Sequence, residues 1–502
     1  MKYTPSHHEH DPVILGSRYA PSWAELYPFH LSVSDRRRHL FVLGQTGTGK
    51  STFLKDIIKQ DILAGRGVAY IDPHGDDSAE LLRSIPSWRA RDVIYFNASD
   101  FDHPIVWNLL ASDTLEASDR DRVASIIVSG FQGIFGSSWG PQLEYVLYGC
   151  LHTLLARGNT SILGIERLIT DREYRAHALR FVTDSGVRMF WQNFEKQEDQ
   201  HKEATSSVIN KIGRLSLSPT LRNIFGSAEN RIRPRTIMDE RKILIVNLAK
   251  GAIGEEAARL IGASLISQFY SASLTRRDTP ESERVDFSLV VDEFASFQTT
   301  SIANILSESR KYRMNVILAN QYLGQLSEEV EQAIFGNPGA VISFRVGEED
   351  AATLAKHFGD EYQPHHFSAL DNYTIAVKQL VDGMARAPFI GRTHRLEMPV
   401  ELDGEKVRYM NPEVLVRQSR LKVASHRQLV EAKLERWMSK DHSAPGKRSG
   451  HRKAVRKVAP AWKQMTNRTD SIHAQIRKHA LARTRKPRPI ASAGSARLGE
   501  LM

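Results

Sequence analysis

Short apolar runs recur along the chain and define its predicted strands. They are continuous, rich in branched residues and bounded by polar residues or glycine, as are strands buried on both faces of a sheet. The runs lie at residues 40–44, 67–72, 93–97, 242–248, 288–293, 315–320 and 340–344. Helical patterns lie between several of them, for example in STFLKDIIKQDILAG after the first. This alternation predicts an α/β fold with helices on both faces of a parallel sheet.

The strand pattern fades between Asn97 and Lys242, where helical periodicity replaces it. In LEYVLYGCLHTLLA, one helical face carries Leu143, Val146, Leu147, Cys150, Leu151, Leu154 and Leu155. This stripe predicts an inserted all-α domain, and it makes Cys150 a core residue rather than a reactive thiol. Further along, NYTIAVKQLVDGMARAPFIG predicts a β-hairpin with its turn near Asp382-Gly383.

Composition places the chain among ordinary globular proteins. Of its 502 residues, 41% are hydrophobic and 25% are charged. The single cysteine excludes an intramolecular disulfide framework and a multi-cysteine metal site. No run of about 18 apolar residues is present, and the N-terminal stretch lacks the apolar core of a signal peptide. We therefore expect no transmembrane segment and a cytoplasmic location, with recruitment to the inner face of the membrane by a partner as the alternative.

The positive charge of the chain is concentrated at its end. The net charge is +10, and the residues from Trp437 onward contain 16 Lys and Arg against 3 Asp and Glu. The segment 439–502 is also poor in apolar residues, which predicts a disordered basic tail. Such a tail is suited to non-specific, salt-sensitive contact with DNA phosphates or with an acidic partner. A solvated terminus without a ligand is the alternative.

The stretch RHLFVLGQTGTGKST contains a phosphate-binding loop. It fits the pattern G-x-x-x-x-G-K-[ST], with an apolar strand before it and an amphipathic helix after it. Glycines allow backbone N–H groups to turn around phosphate oxygens at a helix N-terminus. We expect Lys50 to reach the β- and γ-phosphates of ATP and the Ser51 hydroxyl to ligate Mg²⁺. The residues expected to bind the nucleotide are Gly44, Gln45, Thr46, Gly47, Thr48, Gly49, Lys50, Ser51 and Thr52.

Two later strands end in residues suited to hydrolysis of a nucleotide. FSLVVDEF contains Asp292, which is expected to complete the Mg²⁺ shell, and Glu293, which is expected to polarise the attacking water. NVILANQ ends at Gln321, which we expect between the P-loop and the acidic strand, where it would sense the γ-phosphate. The alternatives are a solvated acidic pair and an amide that caps the next helix.

Two further segments provide candidate contacts to the nucleotide or to a neighbouring subunit. In ILSESRKYRMN, Arg310 and Arg313 lie on one helical face, and Arg310 is the preferred candidate to neutralise the γ-phosphate of a neighbour. The alternative is a favourable charge near a helix C-terminus. In YIDPHGDD, Asp72, His74 and Asp76 favour contacts near the nucleotide or the next subunit over a metal site.

Two other polar clusters favour ordinary solvated surface. The histidines His7, His8 and His10 are interpreted as solvated terminal residues. The arginines Arg36, Arg37 and Arg38 are interpreted as a solvated turn rather than a ligand site.

The motifs GQTGTGKST, DPHGD, VVDEF, SESRKY and ANQYLGQL, in this order and spacing, resemble those of the type IV secretion coupling proteins. These are conjugative DNA-transfer ATPases of the FtsK–HerA superfamily of P-loop motors. The resemblance covers about residues 35 to 390 and includes SSWGPQLEYVL. It implies a RecA-like motor domain with an all-α domain, assembled as a ring of six around DNA. On matching positions it implies the roles given above for Lys50, Ser51, Asp292, Glu293, Gln321 and Arg310. Many members carry N-terminal transmembrane helices, and none is found here.

The predicted organisation has six parts. They are an N-terminal arm (1–34), the first part of a RecA-like motor domain with the P-loop (35–109), an inserted all-α domain (110–235), the second part of the motor domain (236–400), a charged helical extension (401–438) and the basic tail (439–502).

The predicted function is ATP- and Mg²⁺-dependent translocation of DNA by a hexamer. Translocation must tolerate any sequence, so phosphate contacts should dominate over base contacts. A relaxase or a secretion-channel component is the expected further partner, and the strandedness of the DNA stays open. Two alternatives remain. One is a secretion ATPase that handles protein. The other is a DNA-binding recruitment factor whose P-loop locks an assembly without motor activity.

Overall fold

The computed structural model describes residues 10–19, 26–111, 117–196, 201–297, 302–396, 400–402 and 404–439. All of them belong to a unit that extends to Lys440. His7, His8 and the predicted basic tail after Ser439 lie outside the described residues.

The strands form one large sheet and a separate small pair. Along the chain they are β1 (Val13–Tyr19), β2 (Leu26–Leu31), β3 (Leu40–Leu43), β4 (Gly67–Asp72), β5 (Val93–Asn97), β6 (Ile243–Asn247), β7 (Phe287–Val291), β8 (Met314–Asn320), β9 (Ala340–Ser343), β10 (Thr374–Val381), β11 (Met384–Ala385), β12 (Phe389–Thr393), β13 (Glu401–Leu402) and β14 (Glu405–Lys406). The large sheet has the order β2-β1-β12-β10-β9-β3-β8-β7-β4-β6-β5. β11 pairs only with β10, and β13 pairs with β14.

The sheet is mixed, with a parallel part and an antiparallel flank. The strands from β9 to β5 in that order pair in parallel, and β10, β12, β1 and β2 add antiparallel strands beside β9. The parallel strands β3 to β9 are the ones that the apolar runs predicted. The predicted α/β class with a parallel sheet is therefore confirmed.

Two apolar layers bury the two faces of the sheet. In β3, Leu40 and Val42 pack on the side of the helix that follows the strand, and Phe41 and Leu43 pack into the larger cluster on the opposite side. All four side chains are buried. Because successive residues of a strand point to opposite faces, a strand covered on both sides must be apolar throughout. This requirement explains the continuous apolar runs.

The α-helices of the described ranges are α1 (Val33–Arg36), α2 (Lys50–Leu63), α3 (Asp76–Arg83), α4 (Ala117–Phe135), α5 (Pro141–Arg157), α6 (Gly164–Thr170), α7 (Arg172–Leu179), α8 (Ser185–Lys196), α9 (Lys202–Leu217), α10 (Pro219–Phe225), α11 (Pro234–Asp239), α12 (Lys250–Ile253), α13 (Glu255–Thr275), α14 (Ile302–Glu308), α15 (Glu328–Gly336), α16 (Glu348–Phe358), α17 (His365–Ser368), α18 (Pro412–Val423) and α19 (Arg427–Met438). Within these ranges, no helix is long and apolar enough to cross a lipid bilayer.

Helices α4 to α11 occupy the interval between β5 and β6. The apolar stripe of α5 is buried, and Cys150 is fully buried within it. Burial raises the pKa of the Cys150 thiol far above its ordinary value, which leaves it protonated and unreactive. The prediction of a core cysteine is confirmed. The proposal that this interval is a domain of its own, with boundaries at residues 110 and 235, stays a prediction.

The predicted hairpin is present, and it continues into an antiparallel flank. β10 pairs with β11 around a turn in which Asp382 and Gly383 have φ angles of 52° and 75°. Positive φ at both central residues is the geometry that favours Asp-Gly in a tight hairpin. The strands β1 and β2 extend the same flank through β12. These two strands were not predicted from the apolar pattern of the sequence.

The interpretation of Arg36 to Arg38 as a solvated turn is wrong for Arg36. Its guanidinium is buried and forms two hydrogen bonds with the Asp61 carboxylate, at 2.6 and 2.7 Å. Arg37 pairs in the same two-bond geometry with Asp286. A buried charge requires a paired partner. Arg36 therefore links the turn before β3 to α2, and Arg37 links it to the segment before β7.

Candidate nucleotide-binding site

The phosphate-binding loop connects β3 to α2 and is fixed to its neighbours by backbone hydrogen bonds. The Gly44 N–H donates to the Asn320 carbonyl at 3.1 Å, and the Gln45 N–H donates to the Arg345 carbonyl at 2.9 Å. These bonds tie the loop to the ends of β8 and β9. Gly47 and Gly49 have φ angles of 82° and 112°, a region that favours glycine. Gly47 and Gly49 therefore allow a backbone conformation that residues with a side chain rarely adopt.

The N-terminus of α2 is open for an anion. No side chain caps it, and its first intrahelical bond runs from the Phe53 N–H to the Gly49 carbonyl at 3.0 Å. The N–H groups of Lys50, Ser51 and Thr52 precede that bond and have no partner within the helix. Such groups and the helix dipole attract phosphate.

Lys50 and Ser51, the first residues of α2, meet Asp292, which follows the last residue of β7. The Lys50 ammonium lies 3.2 Å from Asp292 Oδ1, and the Ser51 hydroxyl donates to Asp292 Oδ2 at 3.3 Å. Lys50 and Asp292 are both buried. The structure thus brings the predicted phosphate ligand and the two predicted Mg²⁺ ligands together across 241 residues of chain.

Glu293 is held by three side chains. Its Oε1 accepts from Gln321 Nε2 at 2.8 Å and lies 2.9 Å from His74 Nε2. Its Oε2 accepts from Lys250 Nζ at 3.0 Å. The backbone of Glu293 has a φ of 46°, an uncommon value for a residue with a side chain and one that recurs at functional sites.

The surroundings of Glu293 keep it ionised. Burial acts to raise its pKa, but the hydrogen bonds and charges of His74 and Lys250 outweigh burial, so the pKa lies below its ordinary value. A carboxylate in this state can accept a proton from water at neutral pH. Gln321 follows β8, which lies between β3 and β7 in the sheet, and in this structure its amide contacts the acid.

Asp72 organises the loop that carries His74. Its Oδ1 accepts from the N–H groups of His74 and Gly75 at 3.0 and 2.8 Å, and its Oδ2 accepts from the Ser78 N–H at 2.8 Å. Burial raises the pKa of Asp72, and these donors oppose the shift. Asp76 follows this loop as the first residue of α3 and is exposed. In the described part of the chain, no cluster of three or more His, Cys, Asp or Glu residues is arranged to hold a metal.

These residues line one cavity of about 360 Å³, within the usual size range of small-molecule sites. Its wall includes Gln45, Thr46, Gly47, Gly49, Lys50, Ser51, Thr52, Asp72, His74, Asp76, Asp77, Asp292, Glu293, Gln321 and Tyr373. The carboxylates in this wall outnumber its single lysine, so a polyphosphate would need a cation to enter with it. A second cavity of about 330 Å³ lies between the end of β5, α10 and α19 and contains none of the predicted site residues.

Arg310 lies away from the cavity. It belongs to the 3₁₀ helix Ser309–Tyr312, which leads into the first residue of β8, whereas Gln321 follows the last residue of β8. The length of β8 places the two ends about 20 Å apart. Arg310 is exposed, and in the described ranges its side chain has no ion-pair partner. The Arg313 guanidinium instead donates to the Arg284 carbonyl at 2.8 Å.

Three residues at the site were not predicted from the sequence: Asp77 and Tyr373, which line the cavity, and Lys250, which contacts Glu293. Lys250 comes shortly after the carboxyl end of β6, and polar residues at that edge of a parallel sheet tend to converge on one site. That rule would have identified Lys250 as a candidate. Tyr373 precedes β10 and reaches the P-loop through tertiary contact alone, so the sequence contains no comparable signal for it.

The phosphate-binding loop lies between a buried parallel strand and an uncapped helix, and it faces the acidic residues that follow another strand. This arrangement defines a P-loop NTPase built on a RecA-like sheet. The chain belongs to the family of type IV secretion-system coupling protein DNA-binding domains, whose model matches residues 24–380. It is therefore a member of a DNA-binding, nucleotide-binding P-loop ATPase family. No curated protein sequence matches the chain.

Solved structures of the coupling protein TrwB and of VirB4 have the same fold. The plasmid coupling protein TrwB in complex with ADP and Mg²⁺ has a TM-score of 0.56 and 17% identity, over 76% of this chain and 89% of that chain. TrwB with the non-hydrolysable GTP analogue GDPNP has a TM-score of 0.54 and 17% identity, over 72% and 87%. VirB4 of Thermoanaerobacter pseudethanolicus has a TM-score of 0.51 and 15% identity, over 77% and 96%. At these identities the likeness shows the fold alone.

Proposed function

We propose that the protein is an ATP-driven DNA translocase that acts as a hexameric coupling protein in conjugative or type IV secretion transfer of DNA. The observation that carries this proposal is the convergence of Lys50, Ser51, Asp292 and Glu293 in one cavity. A relaxase or a secretion-channel component is its proposed partner. Membership of a coupling-protein family supports the DNA substrate.

The triphosphate of ATP would lie on the P-loop. The open N–H groups at the start of α2 and the Lys50 ammonium bind its oxygens. Ser51 and Asp292 would hold Mg²⁺ together with phosphate oxygens and water, which suits a cation that keeps few protein ligands. Their oxygens lie 3.3 Å apart, and the surplus of carboxylates in the wall favours a cation. When bound, the ion neutralises negative charge on the phosphates.

Glu293 is the proposed acceptor of the proton of the attacking water. His74, Lys250 and Gln321 orient its carboxylate, and the cationic lysine favours its ionised form. Oε1 already has two partners and Oε2 has one, so Oε2 keeps capacity to accept a bond from water. Gln321 would sense the γ-phosphate by exchanging its bond with Glu293 for one with the nucleotide.

The hexamer is proposed because the family resemblance implies a ring of six and because no arginine is among the described residues that line the cavity. Arginine in trans commonly stabilises the charge that develops on the transferred phosphoryl group. Arg310 is exposed near the first residue of β8, whereas the cavity lies near the last residue of β8. It is therefore accessible to another copy of the chain but cannot reach the cavity of its own chain. Hydrolysis at interfaces between subunits would then be coupled to movement along the DNA backbone.

The test is steady-state ATP hydrolysis measured with and without single- and double-stranded DNA over a range of protein concentrations. We expect DNA to stimulate turnover and turnover per subunit to rise with concentration. Lys50→Ala should abolish hydrolysis because it removes the phosphate ligand. Glu293→Gln should still bind ATP but hydrolyse it about 10²- to 10⁴-fold more slowly, the usual contribution of a general base.

Other outcomes identify the alternatives. Wild-type turnover in Lys50→Ala would exclude this cavity as the site of hydrolysis. Turnover that ignores DNA but responds to a protein substrate would indicate a secretion ATPase that handles protein. ATP-dependent assembly on DNA with negligible turnover would indicate a recruitment factor.

A further inference from the structure

We propose that Tyr373 forms a stacking platform for the nucleobase of the bound nucleotide. The ligand of this subsite is an aromatic base, recognised by its face rather than by its hydrogen-bonding edge. The inference rests on the proposed binding of the triphosphate at the P-loop and extends it to the other end of the nucleotide.

The ring of Tyr373 lies directly against the P-loop. A Cβ atom placed on Gly49 would lie 2.6 Å from Cδ1 and 3.0 Å from Cε1 of this ring. Only the absence of a side chain at Gly49 permits this approach. Tyr373 also lines the cavity that contains Lys50 and Thr52. A nucleotide whose phosphates occupy the start of α2 therefore has this ring in the same cavity.

The position of the ring is fixed by the backbone. The Tyr373 N–H donates to the Thr48 carbonyl at 2.8 Å, and the Tyr373 carbonyl accepts from the Thr393 N–H at 2.8 Å. The residue is tied to the P-loop on one side and to β12 on the other. Its φ of 64° lies in the left-handed region, which is strained for a residue with a side chain and is over-represented at ligand sites. The chain thus accepts strain to hold a tyrosine at this point.

The ring is available to a ligand. Tyr373 is 44% exposed. In the described part of the chain it pairs with no other aromatic ring, and its hydroxyl has no hydrogen-bond partner. The exposed part of the ring is therefore open to a ligand in the cavity. Aromatic side chains bind bases by stacking, and because every base has a π-face this contact tolerates different bases.

The test compares Mg²⁺-ATP, Mg²⁺-GTP and inorganic triphosphate with Mg²⁺ as ligands in calorimetric titrations of the full-length chain. Tyr373→Asn removes the ring and keeps a residue that tolerates the left-handed backbone. We expect it to weaken the binding of ATP and GTP alike by about 5- to 100-fold, as the loss of one base–aromatic stack does. Binding of inorganic triphosphate should not change. Tyr373→Phe keeps the ring and should bind all three ligands as the wild type does.

Four results would overturn the inference. They are unchanged nucleotide affinity in Tyr373→Asn, an equal loss of affinity for inorganic triphosphate, a loss confined to ATP, and an equal loss in Tyr373→Phe. The second would show that the ring only supports the loop, and the third would indicate recognition of the base edge. If wild-type protein bound neither ATP nor triphosphate, the proposed function itself would fail. If the wild type bound triphosphate normally and Tyr373→Asn left the affinity for nucleotides unchanged, only the proposed base subsite would be contradicted.

Photo-crosslinking of wild-type protein with 8-azido-ATP provides a second measurement that does not depend on a variant. We expect peptide mass spectrometry to find the label on the segment that contains Tyr373, with competition by unlabelled ATP. Labelling only of segments remote from the P-loop would contradict the assignment.

Discussion

At the scale of single residues, Lys250 is the cation that favours the ionised form of Glu293. The folded state lowers the pKa of Glu293, so the proton-accepting form persists as the pH falls below the ordinary value of a glutamate. Lys250→Met removes a charge and a hydrogen bond at 3.0 Å. We expect the pKa of Glu293 to rise and the acidic limb of kcat against pH to move to higher pH.

The control for this prediction is Lys250→Arg, which keeps the charge and should keep the acidic limb in place. The measurement is the pH–rate profile of ATP hydrolysis with saturating nucleotide. A limb at the same pH in Lys250→Met and wild type would mean that Glu293 is not the group whose ionisation limits the rate.

The sequence predicted several residues of the site but not the contacts between them. Lys50 and Ser51 were predictable from the P-loop motif. Asp292, Glu293 and Gln321 were predictable because they directly follow buried strands, at the end where parallel strands converge. The structure places these five residues in one cavity. Their chemical roles remain predictions. The mutual contacts of the site, such as that of Glu293 with Lys250, depend on tertiary structure.

At the scale of elements, the P-loop packs directly against the segment before β10. Gly49→Ala would place a Cβ 2.6 Å from the Tyr373 ring at a φ of 112°. We expect it to destabilise the fold by about 1–3 kcal/mol, the usual cost of such backbone strain, and to weaken nucleotide binding. Differential scanning calorimetry and nucleotide titration measure the two effects.

Gly213→Ala is the matched control for that substitution. Gly213 lies inside α9, and a Cβ there would meet nothing within 4 Å. Alanine is preferred to glycine in a helix by about 1 kcal/mol, so the melting temperature should rise. Equal changes in the melting temperatures of both variants would contradict the role assigned to the contact between Gly49 and Tyr373.

Elements also differed in how well the sequence predicted them. The strands β3 to β9 were evident because burial on both faces demands continuous apolar residues. β2 is mostly exposed and contains Pro28, and a proline in a strand is tolerated at the edge of a sheet. An edge strand of this kind has little apolar periodicity, which explains why β2, at the end of the sheet order, was missed.

At the scale of the whole molecule, the position of Arg310 predicts a shared site. A residue at the start of β8 cannot reach a cavity at the other end of that strand in the same chain. We expect Arg310→Ala to reduce hydrolysis by about 10³- to 10⁵-fold, the usual effect of an arginine acting in trans. Mixing this variant with Lys50→Ala should restore part of the activity, because some interfaces then combine an intact P-loop with an intact arginine.

Hydrolysis measured over a series of mixing ratios checks this expectation, with each variant alone as the control. Recovery should be greatest at intermediate ratios. Absence of recovery at every ratio, with mixed assemblies demonstrated by native mass spectrometry, would contradict a site shared between subunits.

The sequence by itself determined the P-loop, the buried parallel strands, the acidic pair after β7 and the family resemblance. These features are local, since strand, turn and helix are adjacent along the chain and their residue types follow from burial and backbone geometry. Only the tertiary structure placed Lys250 on Glu293 and Tyr373 on the P-loop, and put Arg310 at the opposite edge. The order of strands in the sheet decides which distant segments meet, and that order depends on long-range pairing that local periodicity does not encode.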